Sequence, residues 1–368
     1  MDLLDRLLTI IQEQPTTTYI VGGTAIIVSY LALVHMIRFR YINALRRKYP
    51  DPTLPLRDAK VAEEIFDTTF RHDFPFLGRL SLELALFKTY SVPTISKILA
   101  ATGEFSKSAA KRAEDTGLIL AEIIDPYAHI EIEKRKHANM DVEKIESEQR
   151  GRAKIAIERL NEIHGKYQIL NGDYLYTLSL FITQPIKWIN RYGWRKLDPL
   201  EENAIYRIWY DIGKEMKIKD IPESLDAMNA FHLQYMHENV RYSPNNWKVA
   251  QPTVEHLLSI YPRFTHGLVY KIIPSLLDPL DVEGFGLPPA SKTLSRLVDK
   301  GLLLQAWIVR HMMLPRFKPT IRTPTKPDKK TNRYKVLFEI YKPVYPDGYC
   351  IYELGPEKFK PAKCPIAH

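Results

Sequence analysis

A single histidine lies on an apolar helical stripe near the middle of the chain. Between Arg152 and Tyr167, small and apolar residues recur every three or four positions, and His164 falls on the same face. An imidazole directed into an apolar interior can bind a buried iron or heme, or it can be a buried histidine held by hydrogen bonds. The pattern by itself leaves both interpretations open.

Polar residues close to His164 are candidates for the same site. Asn161 and Tyr167 lie three positions before and after it, so they share its side of the helix, and Arg159 lies five positions before it. Asn161 and Arg159 are predicted either to contact a heme propionate or bound oxygen, or to form ordinary hydrogen bonds at the helix surface.

A second apolar helix follows, and we expect it to pack beside the first. Leu178 and Phe181 lie on its apolar stripe, and Trp188 adds an aromatic ring near its end. These side chains suit the wall of a pocket for a flat hydrophobic ligand, and they suit an ordinary aromatic core equally well. This second helix contains no histidine.

The remaining histidines are weaker candidates. His232 and His237 are five residues apart, which is poor spacing for one helix face. His129 and His137 lie in a charged segment and are expected to be solvated.

Several familiar catalytic and metal-binding motifs are absent. The chain has no H-E-x-x-H, no G-x-S-x-G, no C-x-x-C-H and no glutamate three residues before any histidine. Cys350 and Cys364 can pair with each other, but two cysteines cannot form a disulfide framework, and no heme-thiolate signature surrounds them. Histidine is therefore the best soft-metal ligand available, and non-covalent heme b is the simplest cofactor.

An apolar stretch near the N-terminus predicts a membrane anchor. Residues 17–37 contain no charged side chain, and about 20 such residues span a bilayer. Residues 38–56 form a basic juxtamembrane linker, so the positive-inside rule places residues 1–16 outside the cytosol and the main body within it. The alternative is a helix buried in a soluble core.

The body of the chain is predicted to be one helical domain over residues 57–314, followed by a Pro- and Lys-rich loop and tail over 315–368. Alternating strand patterns are scarce before Tyr334. The formal net charge of +9 has no nucleic-acid-binding signature beside it, so we expect no nucleic-acid partner. The main predicted helices cover Asp58–Arg71, Ser106–Ile124, Pro199–Met216, Leu225–Val240, a segment opening at Thr253, Tyr270–Leu277 and Ala290–Met313.

Four ordered segments resemble a known fungal family. They cover residues 84–99, 111–122, 159–167 and 175–189, and the resemblance extends over nearly the whole chain. The family is that of the endoplasmic-reticulum-bound oxygenase of mycophenolic acid biosynthesis, which shares a catalytic domain with bacterial rubber oxygenase, the latex clearing protein.

This resemblance implies an all-α, globin-like domain that holds heme b at the endoplasmic reticulum membrane. It also implies the use of O2 to cleave or oxygenate a C=C bond in an isoprenoid or prenylated lipophilic substrate. His164 is the histidine of the matching motif and is therefore expected to be the proximal iron ligand. The bacterial members draw their axial histidine from a later helix, whose counterpart here has none. A heme or prenyl-lipid carrier without turnover, and a structural helical protein with a degenerate site, are the alternatives.

Overall fold

The computed structural model describes residues 16–136, 141–361 and 364, and within them the chain is all-α. The helices are α1 (Thr16–Ile37), α2 (Arg40–Lys48), α3 (Leu54–Arg57), α4 (Ala59–Asp67), α5 (Pro75–Thr89), α6 (Pro93–Thr102), α7 (Glu104–Ile124), α8 (Pro126–Lys136), α9 (Val142–His164), α10 (Asn171–Tyr192), α11 (Pro199–Glu215), α12 (Leu225–Asn239), α13 (Pro244–Leu258), α14 (Arg263–Leu276), α15 (Pro279–Phe285) and α16 (Lys292–Met312). The all-α prediction is confirmed. The expectations for residues 1–15, for His137 and for the last four residues lie outside the described part.

The predicted anchor is helix α1. Its side chains from Tyr19 to Leu33 are almost all exposed, and it is long and apolar enough to cross a membrane. It meets the body over its last two turns, where Tyr30 contacts Met312 of α16 and Val34 is buried. Arg38, which directly follows the helix, is buried as well. An apolar helix with so little buried surface is not the core helix of a soluble domain.

Helix α10 forms the centre of the body. Over its central part it is buried on all sides, with Tyr176, Leu180 and Ile182 fully covered, and it packs against α5, α11 and α12. Nearly all residues from 175 to 185 are buried, so this part of the helix is surrounded by other elements, while Lys187 and Arg191 near its end are exposed. Pro185 lies inside it without ending it.

A buried ion cluster joins the beginning of α11 to the loop after α10. The guanidinium of Arg195 donates to Glu201 at 2.6 and 2.8 Å and to Asp73 at 2.6 Å. Thr69 donates to the same Glu201 carboxylate at 2.7 Å. Asp73 and Thr69 lie on a π-helical turn, Thr68–Asp73, that continues α4. The cluster fixes three elements to one another without using an apolar contact.

The C-terminal segment after α16 has little regular structure, and among the described residues it has an isolated antiparallel bridge between Tyr334 and Tyr349. It is held to the bundle by polar contacts with α7 and α9: Tyr349 donates to Glu122, which also accepts from Arg152 at 2.6 Å. Cys350 and Cys364, which the sequence left free to pair, form a disulfide.

The expectation that His129 is solvated is wrong. The residue is 1% exposed on α8, and its Nε2 lies 3.1 Å from the carbonyl oxygen of Thr323, to which it donates. Burial and the nearby Arg152 lower the pKa of His129 to about 3. The prediction failed because the many charged residues around His129 suggested an exposed helix. One face of α8 is in fact buried, and His129 lies on it together with Ile130 and Glu133.

This buried histidine predicts a loss of stability in acid. Because the folded-state pKa lies below the unfolded value, the unfolded chain takes up a proton first, so stability falls as the pH drops below about 6.5. At pH 5 the loss from this residue is about 2 kcal/mol. In His129→Gln, which keeps a donor for Thr323, the difference in unfolding free energy between pH 7.5 and pH 5 should shrink by that amount in urea titrations.

The control for that measurement is His237→Gln, because His237 is exposed on α12. Its substitution should leave the pH dependence as in the unmodified chain. An unchanged pH dependence in His129→Gln would show that His129 is not held neutral in the folded protein.

Candidate functional site

The predicted site begins at the C-terminal residue of α9. The ring of His164 lies against Tyr174 of α10, with ring centroids 5.6 Å apart, and its Nδ1 is buried without a hydrogen-bond partner. Burial, with a smaller contribution from the charge of Arg112, lowers the pKa of His164 to about 4. The imidazole is therefore neutral at neutral pH, which is the form that binds a metal.

The two predicted polar neighbours of His164 have structural partners. Arg159 is 4% exposed and donates to the carbonyl oxygens of Leu354 and Phe359, both at 2.9 Å, and to Glu162 at 2.8 Å. Asn161 is partly exposed and donates to the carbonyl oxygen of Glu215 at 3.0 Å. Arg159 thus holds the C-terminal segment against α9, and Asn161 caps the end of α11.

The predicted wall residues spread along α10 and beyond. Tyr167 follows α9 and faces Phe359, and its hydroxyl is buried without a partner. Phe181 stacks on Trp209 of α11 at 4.5 Å between ring centroids. Leu178 also faces α11, because a Cβ added at Gly213 would meet it.

Trp188 is the wall residue farthest from the predicted ligand. It packs beside Tyr192 and lies 14 positions after Tyr174, which is about 21 Å along the axis of α10. The structure therefore brings Tyr174 to His164 and places Trp188 at the other end of the helix. Tyr174 was not among the predicted site residues.

A second buried imidazole lies on the opposite side of α10. His232 of α12 is 6% exposed, and its Nδ1 lies 3.0 Å from the hydroxyl of Ser179. Its ring stacks on Tyr176, almost parallel and 5.5 Å between centroids. Burial, followed by the charge of Lys88, lowers the pKa of His232 to about 4. Helix α10 has no histidine of its own, but its neighbour α12 supplies one.

Polar groups continue from His232 toward the start of α10. Tyr235 stacks on Tyr176 and donates to Asp173 at 2.8 Å, and Thr94 donates to the same oxygen at 2.8 Å. Asp173 is 1% exposed, and burial raises the pKa of its carboxyl. The Tyr176 hydroxyl and the second Asp173 oxygen are buried without partners. Unpaired buried polar atoms are costly, so these atoms are candidates for contact with a bound ligand.

A sequence signal for His232 exists at helical spacing. Met228, His232 and Met236 are four residues apart and all three are buried on one face of α12. The five-residue spacing between His232 and His237 argues against a pair of metal ligands on one helix face. The four-residue spacing of His232 from Met228 and Met236 is the signal that indicates its burial.

The donor chemistry fits a heme iron, since either of two neutral imidazoles, His164 or His232, would supply a nitrogen ligand to it. Among residues 16–136, 141–361 and 364, no group of three or more His, Cys, Asp or Glu side chains could hold a bare metal ion. A cavity of about 40 Å³ lies under α16 beside Trp194, and one of about 310 Å³ lies between Arg46 and Leu200 at the surface. Neither borders His164 or His232. The argument that these residues fit a heme therefore depends on the imidazole donors and not on a cavity.

Comparison with characterised proteins gives three related sequences, while no family model matches the chain. The chain is 24% identical to the ER-bound oxygenase mpaB' of Penicillium brevicompactum, over 91% of this chain and 87% of that protein. It is 32% identical to the ER-bound oxygenase mpaB of Penicillium roqueforti, over 53% and 62% of the two chains. It is 28% identical to mpaB of Penicillium brevicompactum, over 63% and 60%.

Proposed function

This chain is a homologue of the fungal ER-bound oxygenases of the mpaB family, and on that premise we propose that it is a membrane-bound, heme-b-dependent oxygenase. It uses O2 to cleave or oxygenate a C=C bond in an isoprenoid or prenylated lipophilic substrate, and its helical domain is globin-like. The observation that carries the proposal is the homology over most of the chain, in a protein whose His164 and His232 imidazoles, on two sides of α10, are both neutral at neutral pH.

His164 is the proposed iron ligand, and it is supported by its unpartnered buried Nδ1. The heme, when bound, would supply the iron centre at which dioxygen reacts. His232 is the competing ligand, since Ser179 fixes the orientation of its ring. The chain's own contribution is the burial of ring nitrogens and the nearby cations Arg112 and Lys88, which keep both imidazoles neutral.

The apolar helix α1 supports the proposed substrate class. Helix α1 exposes an apolar surface long enough to span a bilayer. A prenylated substrate partitions into the same lipid, so a membrane-tethered domain meets it at high local concentration. This supports a lipophilic alkene over a water-soluble substrate.

Turnover separates the enzyme from a heme or prenyl-lipid carrier. Purified full-length protein should be incubated in air with a farnesylated aromatic compound and the products analysed by mass spectrometry. Aldehyde or ketone products of chain shortening, or oxygenated products, support the oxygenase. Recovery of intact substrate from a heme-loaded preparation would favour the carrier, and an iron-free preparation would favour a structural protein.

The proposed topology is a single-pass protein of the endoplasmic reticulum membrane whose body faces the cytosol. The basic residues after α1 support this side. The Cys350–Cys364 disulfide points to the other side, because cytosolic thiols are kept reduced. In sealed microsomes, added protease should digest the body without detergent. Protection until detergent is added would place the body in the lumen.

A further inference from the structure

Two helices expose large apolar side chains that the body does not cover. Of α16, only Ala306 is buried, and of α14, only Pro274. The two helices pack against each other, and Ser275 and Ser295 are in hydrogen-bond contact across them at 3.1 Å. The exposed apolar residues here, called the α14–α16 surface, are Ile260, Tyr261, Phe264, Leu268, Leu297, Leu303, Leu304, Trp307, Ile308, Met312, Met313, Leu314 and Phe317. Apolar patches this extensive mark interaction sites.

This surface is continuous with the proposed membrane anchor. The hydroxyl of Tyr30 on α1 donates to the carbonyl oxygen of Met312, the last residue of α16, at 2.9 Å. Tyr30 precedes the end of α1 at Ile37 by seven residues, which is about 10 Å of helix. If α1 crosses the bilayer, the end of α16 therefore lies about 10 Å inside the boundary of the span.

The charges of α16 are arranged in agreement with that depth. Lys292, Arg296, Asp299 and Lys300 lie in its first half, and residues 301–309 contain no charged side chain. Arg310 follows in the last turn, and its guanidinium lies 5.5 Å from the ring centroid of Phe39, just beyond the end of α1. Such a helix can enter a leaflet obliquely, with its charged first half in the headgroup region and residues 301–309 in the acyl chains. The long side chain of Arg310 reaches back toward Phe39, at the level where α1 ends.

Basic residues gather where the chain leaves this surface. The guanidinium of Arg40 lies over the ring of Phe317 at 4.1 Å, and Tyr41 donates to the carbonyl oxygen of Arg316 at 2.6 Å. Cations at the level where α1 ends are positioned for lipid phosphates.

We propose that the α14–α16 surface is embedded in one leaflet of the membrane beside α1, so that the body is held to the bilayer by a second, non-spanning element. The occupant of this surface is lipid. The proposal rests on the part of the proposed function in which α1 spans the membrane, and it is independent of heme and of turnover. A second copy of the chain, or a protein partner, would be the other way to cover this surface.

Tryptophan fluorescence can test this in the full-length protein. The structure describes all five tryptophans, and only Trp307 is exposed, at 53%. In phosphatidylcholine vesicles with brominated acyl chains, the emission of Trp307 should be quenched, measured as the difference between the unmodified chain and Trp307→Phe.

A matched control uses Leu170, which is 55% exposed. It precedes α10, whose far end contacts α16 through Arg191 and Asp299 at 2.7 Å. About 32 Å of helix therefore separates Leu170 from that contact. Leu170→Trp in the Trp307→Phe background should not be quenched above that background.

A third protein, Tyr30→Trp in the same background, reports insertion of α1 itself. Quenching at positions 30 and 307 supports the proposal. Quenching at position 30 without quenching at Trp307 overturns it and leaves the anchor intact, and a cross-linked dimer in that case would identify a second copy as the occupant. Quenching at neither position overturns both the anchor and the embedded surface.

Discussion

Replacement of His164 by alanine should abolish heme retention. The imidazole is the proposed iron ligand, and alanine leaves no donor atom at that position. We expect the Soret absorbance per mole of purified protein to fall at least about tenfold, since loss of one ligand bond removes more than the 1.4 kcal/mol that a tenfold change in binding requires. The measurement is the ratio of Soret to protein absorbance after identical expression and purification.

Two further variants make that result specific. His232→Ala removes the competing imidazole on α12, and His237→Ala removes an exposed one from the same helix. The proposed assignment requires that both keep their heme, apart from any loss that follows unfolding. Full Soret absorbance in His164→Ala with loss in His232→Ala would move the ligand to α12.

Replacement of Arg195 by methionine should lower the free energy of unfolding more than the substitutions of His129 and Arg46 do. It leaves the buried carboxylates of Glu201 and Asp73, 0% and 4% exposed, without their cation. Removing one partner of a buried ion pair costs about 3–5 kcal/mol. Urea unfolding of the full-length chain in detergent should show a lower midpoint with an unchanged slope.

Arg46→Met is the matched control for this change. Arg46 pairs with Asp198 at 2.7 Å, close to the same cluster, but its side chain is 57% exposed. Exposed pairs contribute about 1 kcal/mol or less, so this variant should unfold close to the unmodified chain. Equal midpoints for the two variants would contradict the structural role given to Arg195.

The helical architecture could be predicted from the sequence because its signals are local. The uncharged run at 17–37 corresponds to α1, and the predicted helix at 199–216 corresponds to α11 (Pro199–Glu215). Both follow from apolar content and from a cap, since Asp198 begins α11 with a capping box.

Boundaries at proline were harder to predict. The helix expected to open at Thr253 begins nine residues earlier, at Pro244, because Ser243 caps it and Pro252 is accommodated inside it. A proline is found both in the first turn of a helix and at helix breaks. Its position in the sequence therefore does not show whether a helix begins, ends or continues there.

The contacts of the candidate site could not be predicted from the sequence. The stripe that carries His164 indicated that its ring turns inward, and its Nδ1 is buried, but the carbonyl partners of Arg159 come from a segment about 200 residues later. The pairing of His232 with Ser179 likewise joins two helices that are distant in sequence. Helical periodicity gives the face of a residue and carries no information about which element covers that face.

The absorption spectrum of the purified full-length protein tests the central proposal most directly. With heme b bound to a histidine, the preparation should be coloured, with a Soret band that shifts on reduction and a heme content approaching one per chain. A colourless, iron-free preparation that gains no Soret band when hemin is added would contradict heme dependence and, with it, the proposed oxygenase chemistry.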